Sequence, residues 1–213
     1  MKKREDGRET RRRLLKAACE VFAQKGYRDA KVADICRQAR ANVASVNYYF
    51  GNKASLYREA WQHALANFGD PVLNEGAAGT CQDLLQQYII ALIRNFTANG
   101  ESGCFSRLYL MEMVHPTGLI QDAWQETIEP KRRRLHDILR EIAGPSAAEL
   151  DILLCEMSIV NQCRALVTVK RSDLEYMLRR PLTPDLIASL ADHIAEFSLA
   201  GVKAVGNKSH PES

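Results

Sequence analysis

The stretch Lys31–Phe50, KVADICRQARANVASVNYYF, holds side chains whose types and spacing suit recognition. Asn42, Ser45, Asn47 and Tyr48 gather on one face of a short helical segment, Val43–Phe50, whose other face offers Val46. Amides and hydroxyls on such a face reach base edges in a major groove, while neighbours touch phosphates. Upstream lies a run of cations: Lys2, Lys3, Arg4, Arg8, Arg11, Arg12, Arg13 and Lys16. This run suits a polyanion, although a merely solvated face has the same composition.

Bond-breaking chemistry finds no such pattern. His63, His115, His136, His193 and His210 show no metal spacing, and no G-x-S-x-G, P-loop or dinucleotide fingerprint occurs. Glu112 and His115 stand three residues apart without a third group to complete a catalytic set. The chain is therefore expected not to be an enzyme and to need no metal or cofactor. Its six cysteines are scattered, without CxxC, in apolar helical patterns such as AACEVF. They are expected as small buried side chains in a reducing compartment.

The elements that position these residues read almost entirely as helix. Thr10–Gln24 places Leu14, Leu15, Ala18, Val21 and Phe22 on one stripe, and Gly26 can end it in a left-handed conformation. Short helices follow at about Lys31–Gln38 and Val43–Phe50, with a tight turn near Arg40 and Ala41, then Lys53–Phe68 and a loop over Asp70–Thr80. Beyond it the periodicity predicts Cys81–Thr97, Cys104–Val114, about Leu119–Ile142, Ala147–Val169 and Pro184–Leu199. Pro130 should kink or divide the third of these. The tail Gly201–Ser213 is polar and expected to fray. No strand pattern of useful length appears, so the fold class is all-α.

Length and charge narrow the class further. At 213 residues the chain suffices for one or two domains with a real core. Its apolar runs, such as Tyr88–Ile93, fall far short of the ~18 residues of a membrane span. The basic start continues as RETRRRLLK, with no apolar signal region, so a cytoplasmic location without membrane association is expected. Residues 1–58 hold 15 Lys and Arg against 6 Asp and Glu, and the remainder 14 against 20. A basic head on an acidic body is expected where one part meets a polyanion and the rest does not.

Thr10–Leu56 resembles the N-terminal domain of the TetR/AcrR family of transcriptional regulators. The resemblance is carried by Leu15, Ala18, Phe22, Gly26 and Tyr27, then Val32, Ile35, Ala39 and Val46, and finally Tyr48-Tyr49-Phe50, Lys53 and Leu56. In the body, Arg107–Gly118 (RLYLMEMVHPTG), Ile128-Glu129-Pro130 and Ser158–Arg164 (SIVNQCR) resemble the CecR-like branch. The resemblance implies a three-helix helix-turn-helix DNA-binding domain, residues 1–57. A helical ligand-binding and dimerisation domain of about six helices, residues 58–213, would follow. It further implies a homodimer, paired through its last two helices, that binds a palindromic double-stranded DNA operator. A small, largely apolar effector would release this repressor. A dual regulator or activator of the same fold stays open, as does a helical protein-interaction module.

Two departures from the family pattern matter. Arg40 stands where glycine is usual in the turn, and a left-handed arginine costs about 1 kcal/mol. Ala30 and Lys31 open the second helix where Thr or Ser is usual, so Asp29 is expected to serve as its cap. By the resemblance, DNA contacts fall to Arg8, Arg11, Arg12, Lys31, Arg40, Asn42, Ser45, Asn47, Tyr48 and Lys53. Lys53 would meet the backbone, and Asn47 a base edge. Effector contacts would fall to Trp61, Leu65, Phe68, Tyr88, Phe96, Phe105, Tyr109, Met113 and Trp124, each of which, taken singly, reads more readily as ordinary core. Glu112, Gln162 and Arg164 would supply polar anchors, with a Glu112–Arg164 pair as a purely structural alternative.

Overall fold

The computed structural model describes residues 2–66, 68, 79–98 and 100–207, with side chains from Asp6 onward. Within them lie ten helices and no strand: α1 (Lys2–Asp29), α2 (Val32–Ala39), α3 (Val43–Phe50), α4 (Lys53–Ala66), α5 (Cys81–Thr97), α6 (Cys104–Val114), α7 (Gln121–Ala143), α8 (Glu149–Thr168), α9 (Arg171–Leu178) and α10 (Pro184–Gly206). The chain forms two compact units, one of Met1–Gly69 with Ala98–Trp124 and one of Asp70–Thr97 with Gln125–Ser213.

In the first unit α1 packs on α2, α4 and α6. Its stripe delivers Leu14, Ala18 and Phe22, each fully buried, to a core shared with Ile35, Leu56, Trp61 and Leu108. The helix starts earlier than the stripe predicts, because the charged arm can pair along its own turns. Arg12 donates two 3.0 Å bonds to Glu9, and Thr10 Oγ1 donates to the Asp6 carbonyl at 2.8 Å. Gly26, at φ 71° and ψ 173°, breaks the helical path before a last turn that runs to Asp29. Asp29 therefore ends α1 and does not cap α2. Lys31 takes the N-cap position with no side-chain bond, and its carbonyl accepts from Asp34 N at 3.0 Å.

The turn between α2 and α3 is left-handed as expected, with Arg40 at φ 50° and ψ 47°. Arg40 N–H donates to the Arg37 carbonyl, and Ala41 N–H to that of Cys36 at 2.9 Å. Arg40→Gly is expected to relieve about 1 kcal/mol of left-handed strain, less what the freer unfolded chain takes back. The thermal midpoint should rise slightly or hold. A clear fall would mean that the arginine side chain stabilises the fold.

The second unit packs α10 against α5 and α8, and α8 against α5. Its core holds Leu85, Ile89, Leu135, Leu139, Ile152, Ile159 and Cys163. α7 runs through Pro130 undivided, so the second of the two outcomes expected of that proline does not occur. The proline is exposed, as is Glu126 four residues before it, so the carbonyl left without its helical donor lies on an open face. α9 is an additional short helix, and α10 extends six residues past Ala200, through Val202 and Gly206. Gly206 is required there, since a Cβ would stand 2.0 Å from the Ala143 carbonyl oxygen. Residues 208–213 of the expected frayed tail and most of the 70–80 loop lie outside the described residues. Among the described residues no single helix is long and apolar enough to cross a membrane.

Candidate nucleic-acid interface

α3 is built to show one face. Val46 and Phe50 are buried beneath it, at 1% and 5% exposure, whereas Tyr48 is 81% and Val43 49% exposed. Val43, Ala44, Asn47 and Tyr48 thus form an outward surface, with Ser45 half-buried beside it. Asn47 directs an amide outward that has no hydrogen bond among the described residues. The Tyr48 ring is held edge-on by Tyr49, with centroids 4.9 Å apart. Asn42 is engaged: its side-chain oxygen accepts from Ala44 N at 2.9 Å and caps the helix. Val43 and Ala44 are the part of this face that polarity alone does not reveal. Their signal is an apolar pair just after a capping asparagine, suited to a thymine methyl.

The basic candidates divide by what they already hold. Arg11 pairs with Glu59 of α4 and lies 5.3 Å over the Phe50 ring, so it fastens α1 to its neighbours. Arg12 is paired along its helix with Glu9. Arg8, Lys31 and Arg40 are exposed and show no ion pair among the described residues. Lys53 Nζ donates to the Arg28 carbonyl at 3.2 Å and sits 4.7 Å over the Tyr27 ring. Desolvation there lowers its pKa, against the opposing pull of Asp29. A phosphate approaching Lys53 would reverse that desolvation by supplying a counter-charge.

From Lys53 a chain of contacts runs inward through the first unit. Tyr27 meets Tyr57 at 5.0 Å between centroids. The buried Tyr57 hydroxyl donates to Glu112 Oε2 at 2.8 Å, and burial, then that carboxylate, pushes its pKa up. Thr117 donates to Glu112 Oε1 from its backbone N–H at 2.8 Å and its hydroxyl at 2.9 Å. Glu112 therefore has Tyr57 and Thr117 as its partners, while Arg164 of the second unit donates to Asn161 at 3.0 Å.

The effector candidates separate between the units. In the first, Trp61 meets Phe105 edge-on at 4.8 Å, Phe105 also meets Phe68 at 4.6 Å, and Tyr109 stacks on Trp124 at 5.1 Å. Phe105 and Tyr109 link the two halves of this aromatic run at 6.2 Å. Leu65 is half-buried, whereas Met113 is 46% exposed and turned out of the core. In the second unit Tyr88 and Phe96 belong to the packed core, and Gln162 and Arg164 are half-buried on α8.

Residues 14–60 match the sequence model described as bacterial regulatory proteins of the tetR family. Residues 81–202, more than half the chain, match that of the C-terminal domain of the HTH-type transcriptional dual regulator CecR. The chain belongs to the TetR family. Within that family it carries a CecR-type C-terminal domain and is a DNA-binding transcriptional regulator. It is 23% identical over 163 residues to the regulator SrpR of Pseudomonas putida, covering 76% of this chain and 74% of that one. CecR of Shigella flexneri is 22% identical over 170 residues, covering 75% of this chain and 76% of its own. The repressor NicS of Pseudomonas putida is 36% identical, but over 59 residues, 28% of either chain.

Solved TetR-type structures share the fold. The fatty acid degradation regulator FadR from Bacillus halodurans superposes with a TM-score of 0.65 at 20% identity, covering 90% of this chain and 95% of that one. FadR from Bacillus subtilis, solved with stearoyl-CoA, gives 0.64 at 20% identity over 89% and 97% of the two chains. Likeness at this identity establishes architecture alone. Among the described residues no three His, Cys, Asp or Glu side chains form a metal site, and the matched families are regulators without catalysis.

Proposed function

We propose that the chain is a cytoplasmic, ligand-relieved repressor that binds an inverted-repeat operator as a homodimer. Residues 1–57 would read DNA, and residues 58–213 would take the effector and the second copy. The outward face of α3 carries the reading. Four side chains, Val43, Ala44, Asn47 and Tyr48, are displayed by a helix whose opposite side is locked into the core. Two-fold pairing of such heads requires half-sites about one helical turn apart, ~34–36 Å.

Support for effector coupling comes from α4, which serves two purposes. Lys53 stands at its first turn, and Trp61, two turns on, joins the aromatic run with Phe105. The Tyr57–Glu112 bond ties the middle of α4 to α6. A small apolar molecule that displaces α6 would therefore move α4 and its lysine together, shifting operator affinity through differential binding to the two states. Operator selection from random duplexes, followed by titration of a metabolite library against the bound complex, tests this. A ligand that binds tightly and leaves operator affinity unchanged refutes the coupling. The CecR-type C-terminal domain favours a second reading, dual regulation, in which some promoters are activated; promoter reporters separate the two.

The two DNA roles separate by mutation. Lys53→Ala should weaken operator and unrelated duplex by similar factors and lower the salt slope by about 2, about 1 for the phosphate contact of each protomer. Asn47→Ala should instead change the ranking among operator variants, by about 1–3 kcal/mol at one base pair. Salt-dependent binding titrations read both, and unchanged affinity in both variants would remove these assignments.

A further inference from the structure

We propose that a groove on the flank of the first unit, walled by Arg13 and Lys16 of α1 and by Arg40 at the end of α2, is a phosphate-binding site. It encloses about 300 Å³. A water molecule takes about 30 Å³, so a tetrahedral oxyanion fits with its hydration. Three cations line it against one carboxylate, Glu20, which is already engaged by the Gln38 amide. Lys16 lines the groove and pairs with Glu101 at 3.3 Å.

Two details point to a missing acceptor. Arg13 donates through Nη2 to Thr10 at 3.3 Å, yet its Nε–H is buried with no partner among the described residues. A guanidinium N–H shut away from water is costly unless an acceptor meets it. Arg40 has no side-chain partner among the described residues and holds a left-handed backbone that glycine would adopt without strain. The strain is repaid if the guanidinium has work to do in the groove. Cations approaching from two helices match the several oxygens of a phosphate better than the two of a carboxylate, and guanidinium groups pair with phosphate in bidentate fashion. The phosphate is either a phosphodiester of bound duplex or a free phosphate group, and the first source rests on the DNA-binding reading above.

The experiment uses the full chain with Arg13→Gln/Arg40→Gly, and Arg40→Gly alone as the variant that keeps the fold. In one arm, binding to a selected operator and to an unrelated duplex is measured against salt. A backbone phosphate in the groove predicts at least about tenfold weaker binding of both duplexes and a slope lower by about 0.9 per protomer, about 1.8 for a bound dimer. In the other arm, inorganic phosphate is titrated into DNA-free protein at constant ionic strength while the melting temperature is followed. A free-phosphate site predicts stabilisation of the native chain that the double variant loses. Either result upholds the site and identifies its source. Native salt slopes together with no phosphate effect overturn it while the DNA-binding reading survives. A native chain that binds phosphate but no duplex keeps the groove and sinks that reading.

Discussion

Replacing Leu153 and Met157 by glutamate is expected to turn the protein into a monomer and remove its grip on operator DNA. α8 buries Ile152, Glu156, Ile159 and Cys163 within its own unit. Its other side leaves Leu150, Leu153, Leu154 and Met157 between 36% and 65% exposed, at the i, i+3, i+4, i+7 positions of one stripe. Phe197 of α10 is 62% exposed as well. Covering such side chains stabilises by about 1.5–3 kcal/mol each when complete, and a soluble chain rarely leaves a stripe of this size open. A second copy with the same stripe satisfies it by two-fold symmetry. Glutamate at two central positions places four like charges in that seam, while helix propensity and the chain's own core stay intact. Sedimentation of the variant at micromolar concentration should then give 23.9 kDa instead of twice that mass. Operator affinity should fall about 10²–10⁴-fold, because two linked heads bind far better than one. Helical circular dichroism should not change. Val114→Glu on α6, an exposed apolar residue of the first unit that is not part of the stripe, serves as the control. A native protein that sediments as a monomer would end the dimer proposal.

The reading face was legible in the sequence because its signals are local. Val46 facing inward and the glycine that follows Phe50 bound α3 at Val43–Phe50 in sequence, and the structure keeps those limits with Asn42 as cap. The same holds for α5 and α6, which the apolar periodicity delimits without error at Cys81–Thr97 and Cys104–Val114. What escaped depends on partners distant in sequence. α9 buries Leu174 alone, so no stripe announces it. The last turns of α10 read as a polar tail until Ser198, Val202 and Gly206 are seen at steps of four, with Gly206 pressed on the end of α7. Lys53 and Arg11 were recognisable as cations near the interface. That each is engaged within the protein, with the Arg28 carbonyl and with Glu59, follows only from the packing of α1 and α4. Arg13 and Lys16 were visible merely as part of a charged arm and Arg40 as an unusual turn residue, because the packing that brings Arg40 near Arg13 is a tertiary event.

Trp61→Ala should be among the most destabilising single substitutions in the first unit. The indole is fully buried, packed edge-on against Phe105, and lies in the centre of α4 where α1 and α6 also press. Truncation leaves a cavity between packed helices that cannot collapse without moving one of them, a loss of about 3–5 kcal/mol. For a chain of this length that is a fall of roughly 6–20 °C in melting temperature. Trp61→Phe separates volume from polarity. The indole N–H is buried without a hydrogen-bond partner among the described residues, and such a donor costs about 1–3 kcal/mol. Phenylalanine keeps an aromatic edge for Phe105 and removes that donor, so its penalty should stay below about 1.5 kcal/mol. The comparison also bears on signalling, because α4 carries Lys53 at its start. At a temperature where both variants are folded, the alanine form should bind operator more weakly than the phenylalanine form, since the cavity frees α4 from α6. If Trp61→Ala melted within a degree of the native chain, α4 would not be anchored through this side chain. If it melted early yet bound operator as tightly as Trp61→Phe, the anchor would be structural and α4 would not transmit the effector's signal.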